Sequence, residues 1–503
     1  MTLGKVVIIG AGLSGLAAGC YARMNDHHAT ILEQLGWPGG LARSWDRDGF
    51  RMDPGPDLIW GYGPGTSTHD LLRELGVLPR RGISPLDRWE FADEKGSRRV
   101  NLTAPLEELE SQFKSISPED NDLIEDLIDA ASTIDPVELL DSLESMPSDL
   151  GGLTSSLSER WRTRKYLRYL RGPWSAPIVQ WSERFHDPFL QQIISSLTQP
   201  EAPAWLGIST LSLAAKGGLG RLDEGSDGLV HDLLDRFRKL GGDVEFRSLV
   251  SKIVVEGDEV KGVRLSDGRQ EPADVVISAS DGKEVIYGML DGKFLDEEIE
   301  RRYRVWKPSC PRVSISIGTR KPFEGQVPLQ TILLDKPLVV GTTPNLRMTV
   351  RSFASKDGYA PPGKALMVVT LDSDWQFWYK LRALDRGMYE EEKVRVGGEV
   401  VSHMEGLYPS ISMDVELIEV STPFTTWKTG QTREGAPSGW SITSDALSAR
   451  PTRTLPGLKG FYMAGPWAVP ALGALGCLFT GKHAVHMMCQ DQGRAFKAIA
   501  PRQ

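Results

Sequence analysis

Two hydrophobic patterns alternate along the chain. Short β-branched runs, of the kind buried in a parallel sheet, occur at residues 5–10 (KVVIIG) and 29–32. An alanine-rich segment, 16–23, lies between them and is compatible with a helix. Further strand-like runs occupy 313–317, 329–334, 366–371 and 415–420, with helical stretches at 375–384 and 390–404. These predict a sheet with flanking helices. Residues 107–149 read as helical: Ile124, Leu127, Val137, Leu140 and Leu143 form an apolar face at near-helical spacing. One uncharged stretch, 460–481, is long enough to span a membrane, but its glycines, Pro466 and Pro470 would break a spanning helix.

The first strand runs directly into Gly10-Ala11-Gly12-Leu13-Ser14-Gly15, a complete G-x-G-x-x-G. Each glycine has a task in dinucleotide binding. Gly10 permits the tight turn, Gly12 lets the backbone approach a pyrophosphate, and Gly15 lets the following helix pack on the strand. The helix N-terminus offers free N–H groups and partial positive charge to phosphates. Glu33 ends the second strand, where an acidic side chain can accept hydrogen bonds from a ribose.

Length and composition narrow the picture. A chain of 503 residues is expected to hold about two to three domains. The formal net charge of −9 argues against a nucleic-acid partner. Cys20, Cys310, Cys477 and Cys489 are scattered with no close pair, so neither a disulfide framework nor a metal site is expected, and the compartment reads as reducing and cytoplasmic. With the first strand beginning at Lys5, no cleavable signal peptide is expected. Charge is unevenly distributed. Residues 107–149 hold 14 acidic residues and only Lys114 as a base, whereas 160–171 carry six bases interleaved with aromatic and leucine side chains. That basic run reads first as pairing to the acidic helices or a subunit, with peripheral docking on an anionic membrane as the alternative.

Past Glu33, the run Gly39-Gly40-Leu41-Ala42-Arg43-Ser44 and then Asp53-Pro54-Gly55-Pro56 resembles the flavin-binding opening of phytoene desaturase–like enzymes, within the amine oxidase superfamily. Two later segments carry the same resemblance. Gly225-Ser226-Asp227-Gly228-Leu229 leads into a helix, followed by strands near 250–253, 262–265 and 273–278. Residues 458–465 resemble the family's last strand, and Pro470, Gly473, Gly476 and Gly481 repeat the spacing of its closing turn and helix.

The resemblance implies an α/β fold: a Rossmann-type FAD-binding domain with a mixed-sheet substrate domain and a helical insertion. The flavin domain would be discontinuous, built from 1–60, 217–285 and 426–503. Residues 61–216 would form the largely helical insertion and 286–425 an α+β substrate-binding domain. FAD would be held by Gly10, Ala11, Gly12, Leu13, Ser14, Gly15, Glu33, Gln34, Gly40, Leu41, Ala42, Arg43, Gly55, Pro56 and Asp57. Val250 would meet the adenine, and Gly465, Pro466, Trp467, Gly473, Ala474 and Leu475 the isoalloxazine end. The chain departs from the family at two of these positions. Leu41 stands where many relatives carry arginine, and Pro466 where many have an acidic residue.

No second dinucleotide fingerprint is present, and the glycine-rich 216–220 reads as a loop, so oxygen or a quinone is the expected electron acceptor. The implied reaction is hydride transfer from an extended apolar isoprenoid or polyene substrate to flavin N5. Isomerisation or saturation of a polyene, amine oxidation and a non-catalytic flavin-binding role are the alternatives. An amine oxidase would need an aromatic cage, for which Trp427, Trp440 and Trp467 are the candidates. No catalytic residue is legible.

Overall fold

The computed structural model describes residues 4–53, 55, 58–138, 168–323, 325–449, 451–470 and 473–501. Pro56, Asp57, Leu140, Leu143 and 160–167 of the basic run therefore lie outside the described residues.

Segments far apart in sequence meet in one five-stranded parallel sheet. Its order is Asp243–Phe246, His28–Glu33, Lys5–Ile9, Val275–Ser278 and Phe461–Met463. After Lys5 the central strand is apolar because both of its faces are covered: Val6, Val7 and Ile8 are fully buried. The helix Leu13–Met24 lies over one face, against the closing helix Gly473–Asp491 and the helix Gly225–Lys239. Its crossing with the closing helix is close. A Cβ on Gly481 would stand 2.5 Å from the Ser14 carbonyl oxygen. The uncharged 460–481 stretch thus supplies an edge strand, a turn and the first half of a packed helix. Among the described residues no helix is long and apolar enough to cross a membrane.

A seven-stranded mixed sheet stands beside this unit, in the order Val415–Ser421, Arg312–Thr319, Ala365–Asp372, Thr343–Ala354, Leu329–Val340, Trp89–Asp93 and Arg99–Asn101. One face packs Val313, Ile315, Met348, Val350 and Val369 with Trp378 and Val396 of the helices Trp375–Leu384 and Arg386–Met404. The alternate residues, Arg312, Ser314, Arg347, Thr349, Arg351, Thr370 and Asp372, face a cavity.

Three local readings change here. The Thr343–Ala354 strand is absent from the runs expected above, because its cavity-facing half is polar and it carries no continuous apolar stretch. Residues 89–101, read as part of a helical insertion, form two strands. The first pairs in parallel with Leu329–Val340 and ties the insertion into the large sheet. The glycine-rich segment near 216–220, read as a loop, enters a strand, Leu219–Leu222, between Leu58–Trp60 and Ile83–Pro85.

Most other elements of the insertion's described residues are helices, including Leu106–Ile116, Asn121–Thr133, Pro188–Ser195 and Ala204–Ala215. The described end of the basic run turns inward: Tyr169 Oη donates to Asp129 at 2.8 Å, and Arg168 lies 3.5 Å from the same carboxylate. A second tie joins Asp120 to His186, whose ring Nδ1 is 2.6 Å from the carboxylate. The Asp120 hydrogen bond raises the His186 pKa above 6.5. Stability from this pair is therefore complete below pH 6.5 and is lost as pH rises through the raised value. Melting temperature measured across that window should fall with pH in the wild type, and His186→Gln should flatten the slope.

Candidate functional site

The C-terminal ends of the parallel strands open into a cavity of about 1850 Å³. This is where ligands of open α/β sheets bind. Gly10, Gly12, Leu13 and Ser14 form its floor. Gly10 has φ of +98°, which a side chain would oppose, and the turn brings Gly12 to the head of the Leu13–Met24 helix. No side chain caps that helix, and its first turn carries no acidic residue. A Cβ on Gly12 would meet nothing within 4 Å, so the cavity reaches the bare backbone. Gly15 serves packing instead: a Cβ there would stand 1.9 Å from the Gly10 carbonyl oxygen.

Glu33 is buried at the rim. Its Oε2 accepts from the Ala11 N–H and its Oε1 from the Leu35 N–H, each at 2.8 Å. Burial pushes its carboxyl up, and these N–H groups oppose the shift. The double glycine folds back beside the loop, with the Gly39 N–H donating to the Ala11 carbonyl at 2.9 Å. Gly40, Leu41, Ala42 and Arg43 then line the cavity together with Gln34, Gly55 and Val250. Leu41 packs on the helix Pro423–Gly430, and Arg43 lies over the Trp37 ring at 3.9 Å.

At the other end Pro466, Trp467, Gly473, Ala474 and Leu475 line the cavity, as does Trp427. Ala11, Gly15 and Gly465 lie behind the wall, with Gly465 held by Thr480 Oγ1 at 2.9 Å. Trp440 is not part of the lining. It is fully buried, donates from Nε1 to the Trp467 carbonyl at 2.9 Å, and meets the Trp467 ring edge-on at 5.1 Å. It is a positioning residue for Trp467, and an aromatic cage that includes Trp440 is not formed.

Several cavity residues were missed from sequence. Asp281 follows the buried strand Val275–Ser278 and accepts from the N–H groups of Lys283, Glu284 and Arg433; burial pushes its carboxyl up. Its place at the end of a parallel strand was a usable signal. Arg433 lines the same region, and its buried Nη1 has no hydrogen-bond partner among the described residues. The polar row on the large sheet had no such signal, since nothing in sequence says which face of that sheet meets the cavity.

Comparison with known proteins gives a consistent result. The family model described as flavin containing amine oxidoreductase matches residues 13–488. A chloroplastic prolycopene isomerase of Arabidopsis thaliana is 21% identical over 98% of this chain and 84% of its own length. A lycopene-forming phytoene desaturase of Pseudescherichia vulneris is 28% identical over 55% of this chain and 56% of its own. Among solved structures, a putrescine oxidase bound to putrescine aligns over 97% of this chain and 99% of that one, with a TM-score of 0.63 at 14% identity.

Proposed function

Because the chain belongs to the flavin containing amine oxidoreductase family and is an FAD-dependent oxidoreductase, we propose that it desaturates or otherwise dehydrogenates an extended, largely apolar isoprenoid or polyene substrate. The observation that carries this reading is the size and continuity of the cavity. At about 1850 Å³ it exceeds the roughly 300–1,000 Å³ typical of a single small-molecule site. From the phosphate loop it extends to an apolar arm bordered by Leu58, Trp60, Trp89, Leu206 and Leu329.

The residues present fit FAD. The uncapped helix and the open face of Gly12 suit a pyrophosphate, Glu33 suits a ribose, and the orphaned Arg433 Nη1 is a donor awaiting a ligand. Residues 1–60, 217–285 and 426–503 would form the flavin-holding unit, with 286–425 as its roof. When bound, FAD accepts a hydride and stores two electrons, which oxygen or a quinone would later remove. The chain contributes orientation and exclusion of water: Trp467, braced by Trp440, forms the wall at the closing turn, and Asp281 is a buried group able to hold a proton.

A second reading, polyene isomerisation, is favoured by one observation: similarity to prolycopene isomerase extends over nearly the whole chain, while that to phytoene desaturase covers 55%. Anaerobic mixing of the FAD-loaded protein with phytoene separates the two. Bleaching of the oxidised flavin with formation of a more conjugated product is expected for the desaturase. Conversion of a cis-polyene only after prior reduction of the flavin would support the isomerase. Hydrogen peroxide released with putrescine, and no reaction with either polyene, would overturn both.

A further inference from the structure

The apolar arm ends against a roof that is not apolar. Where strands Arg312–Thr319, Ala365–Asp372 and Thr343–Ala354 cross the cavity, their inward residues are Ser314, Thr370 and Thr349 in one row. In the next row are Arg312, Asp372 and Arg347. Most arginines lining the cavity are committed. Arg351 donates to the carbonyls of Gly55 and Asp53 at 3.0 Å each. Arg312 lies 3.6 Å from Asp372 and Arg43 sits over Trp37. Arg433 is anchored through Nε to Glu434 at 3.3 Å and leaves its buried Nη1 without a partner among the described residues.

Arg347 is different. Its side chain makes no hydrogen bond or ion pair among the described residues, yet it faces the cavity. Its side chain is half-buried, and burial lowers its pKa, with Asp372 opposing that shift and Arg312 adding to it. A ligand that fills the cavity would take the remaining water from this guanidinium, so a ligand that supplies an acceptor there is favoured over one that does not.

We propose that Arg347 is a substrate-recognition residue, binding a carboxylate at one end of an otherwise apolar polyene or isoprenoid chain. The fork of its guanidinium matches two carboxylate oxygens. The charge balance selects a singly charged head: Arg312 and Asp372 offset one another, leaving about one positive charge, and a dianionic phosphate would confront Asp372. The geometry gives the ligand a direction. Arg351, four residues along the same strand and about 13 Å away, pairs in register with Leu329, which in turn pairs with Trp89. A head at Arg347 would therefore send the chain past Thr349 into the apolar arm.

This inference rests on the cavity being the substrate site, as argued under Proposed function. The test is a binding titration of the FAD-loaded protein with all-trans-retinoic acid and with all-trans-retinol, read by flavin and tryptophan fluorescence. The acid should bind the wild type about tenfold or more tightly than the alcohol, the scale of a charge-assisted hydrogen-bonded pair. Arg347→Gln should lose that preference while retaining retinol binding. Arg347→Lys should restore part of it, with FAD content and melting temperature of both variants confirming the fold. Equal binding of acid and alcohol by the wild type, or a preference that survives in Arg347→Gln, would overturn carboxylate recognition and leave the cavity reading intact. Binding of neither compound would overturn both.

Discussion

Gly12→Ala should lower FAD affinity about 10- to 100-fold while leaving the melting temperature of the flavin-free protein unchanged. The two halves of that expectation have separate physical causes. Gly12 has φ of −73°, which alanine adopts without strain, and the added Cβ meets no protein atom within 4 Å. The apoprotein should not register the change. The methyl group would instead occupy the space in which a pyrophosphate approaches the backbone. Overpacking a close contact costs about 1–3 kcal/mol, which is roughly one to two decades of affinity. Equilibrium titration of apoprotein with FAD, beside thermal melting, measures both. An unchanged affinity would show that the phosphates sit elsewhere. Gly15→Ala is the informative contrast. Its Cβ would overlap the Gly10 carbonyl at 1.9 Å, so it should lower apoprotein stability as well as flavin loading.

The second large effect is expected at Gly481→Val, with a loss of about 3 kcal/mol of unfolding free energy. Here the obstacle is backbone on both sides of the contact. A Cβ at 481 would lie 2.5 Å from the Ser14 carbonyl oxygen and 2.8 Å from the Ala18 nitrogen, and neither can rotate away. The closing helix would have to move off the Leu13–Met24 helix, whose first turn carries the phosphate loop. Flavin content should therefore fall together with stability. Urea unfolding followed by far-UV circular dichroism is the measurement, and a change under about 0.5 kcal/mol would mean that the two helices do not pack as closely as described. Gly481→Ala should fall between the wild type and Gly481→Val.

Legibility differed between the two halves of the molecule. At the nucleotide end the requirements are local. A β-branched strand, a turn with a positive φ at Gly10 and an uncapped helix are written within a dozen residues. Glu33 and the double glycine follow at short distance, and the structure places Gly10, Gly12, Glu33, Gly40 and Arg43 on one cavity. Trp440 shows the limit of such reasoning. A tryptophan in the segment leading to the flavin turn was a candidate for the pocket wall, second to Trp467, but burial puts it one layer behind Trp467, where its indole N–H is satisfied by a carbonyl.

The large sheet was harder to read. The strands 313–317 and 366–371 were visible because they are rich in β-branched and apolar residues with only serine or threonine between them, whereas Thr343–Ala354 was not, because it alternates Arg347, Thr349 and Arg351 with buried Met348 and Val350. Its polar residues look like a solvated face. They become a cavity roof only because the sheet is turned toward the nucleotide-holding unit, and long-range pairing sets that orientation. Leu329–Val340 pairs with Trp89–Asp93, more than two hundred residues earlier in the chain.

The glycine loop and a dinucleotide site followed from the sequence by itself, because a phosphate-binding turn needs particular backbone angles and only a few residue types supply them. The family resemblance of the segments around Gly39, Gly225 and Gly465 narrowed this to FAD and a mixed α/β class. Tertiary structure alone decided which tryptophan meets the cavity, which acid ends a buried strand beside it, and that an uncommitted arginine waits in its roof. Those features depend on which faces pack together. Packing of distant segments is governed by shape and burial across the whole chain, and no local spacing records it.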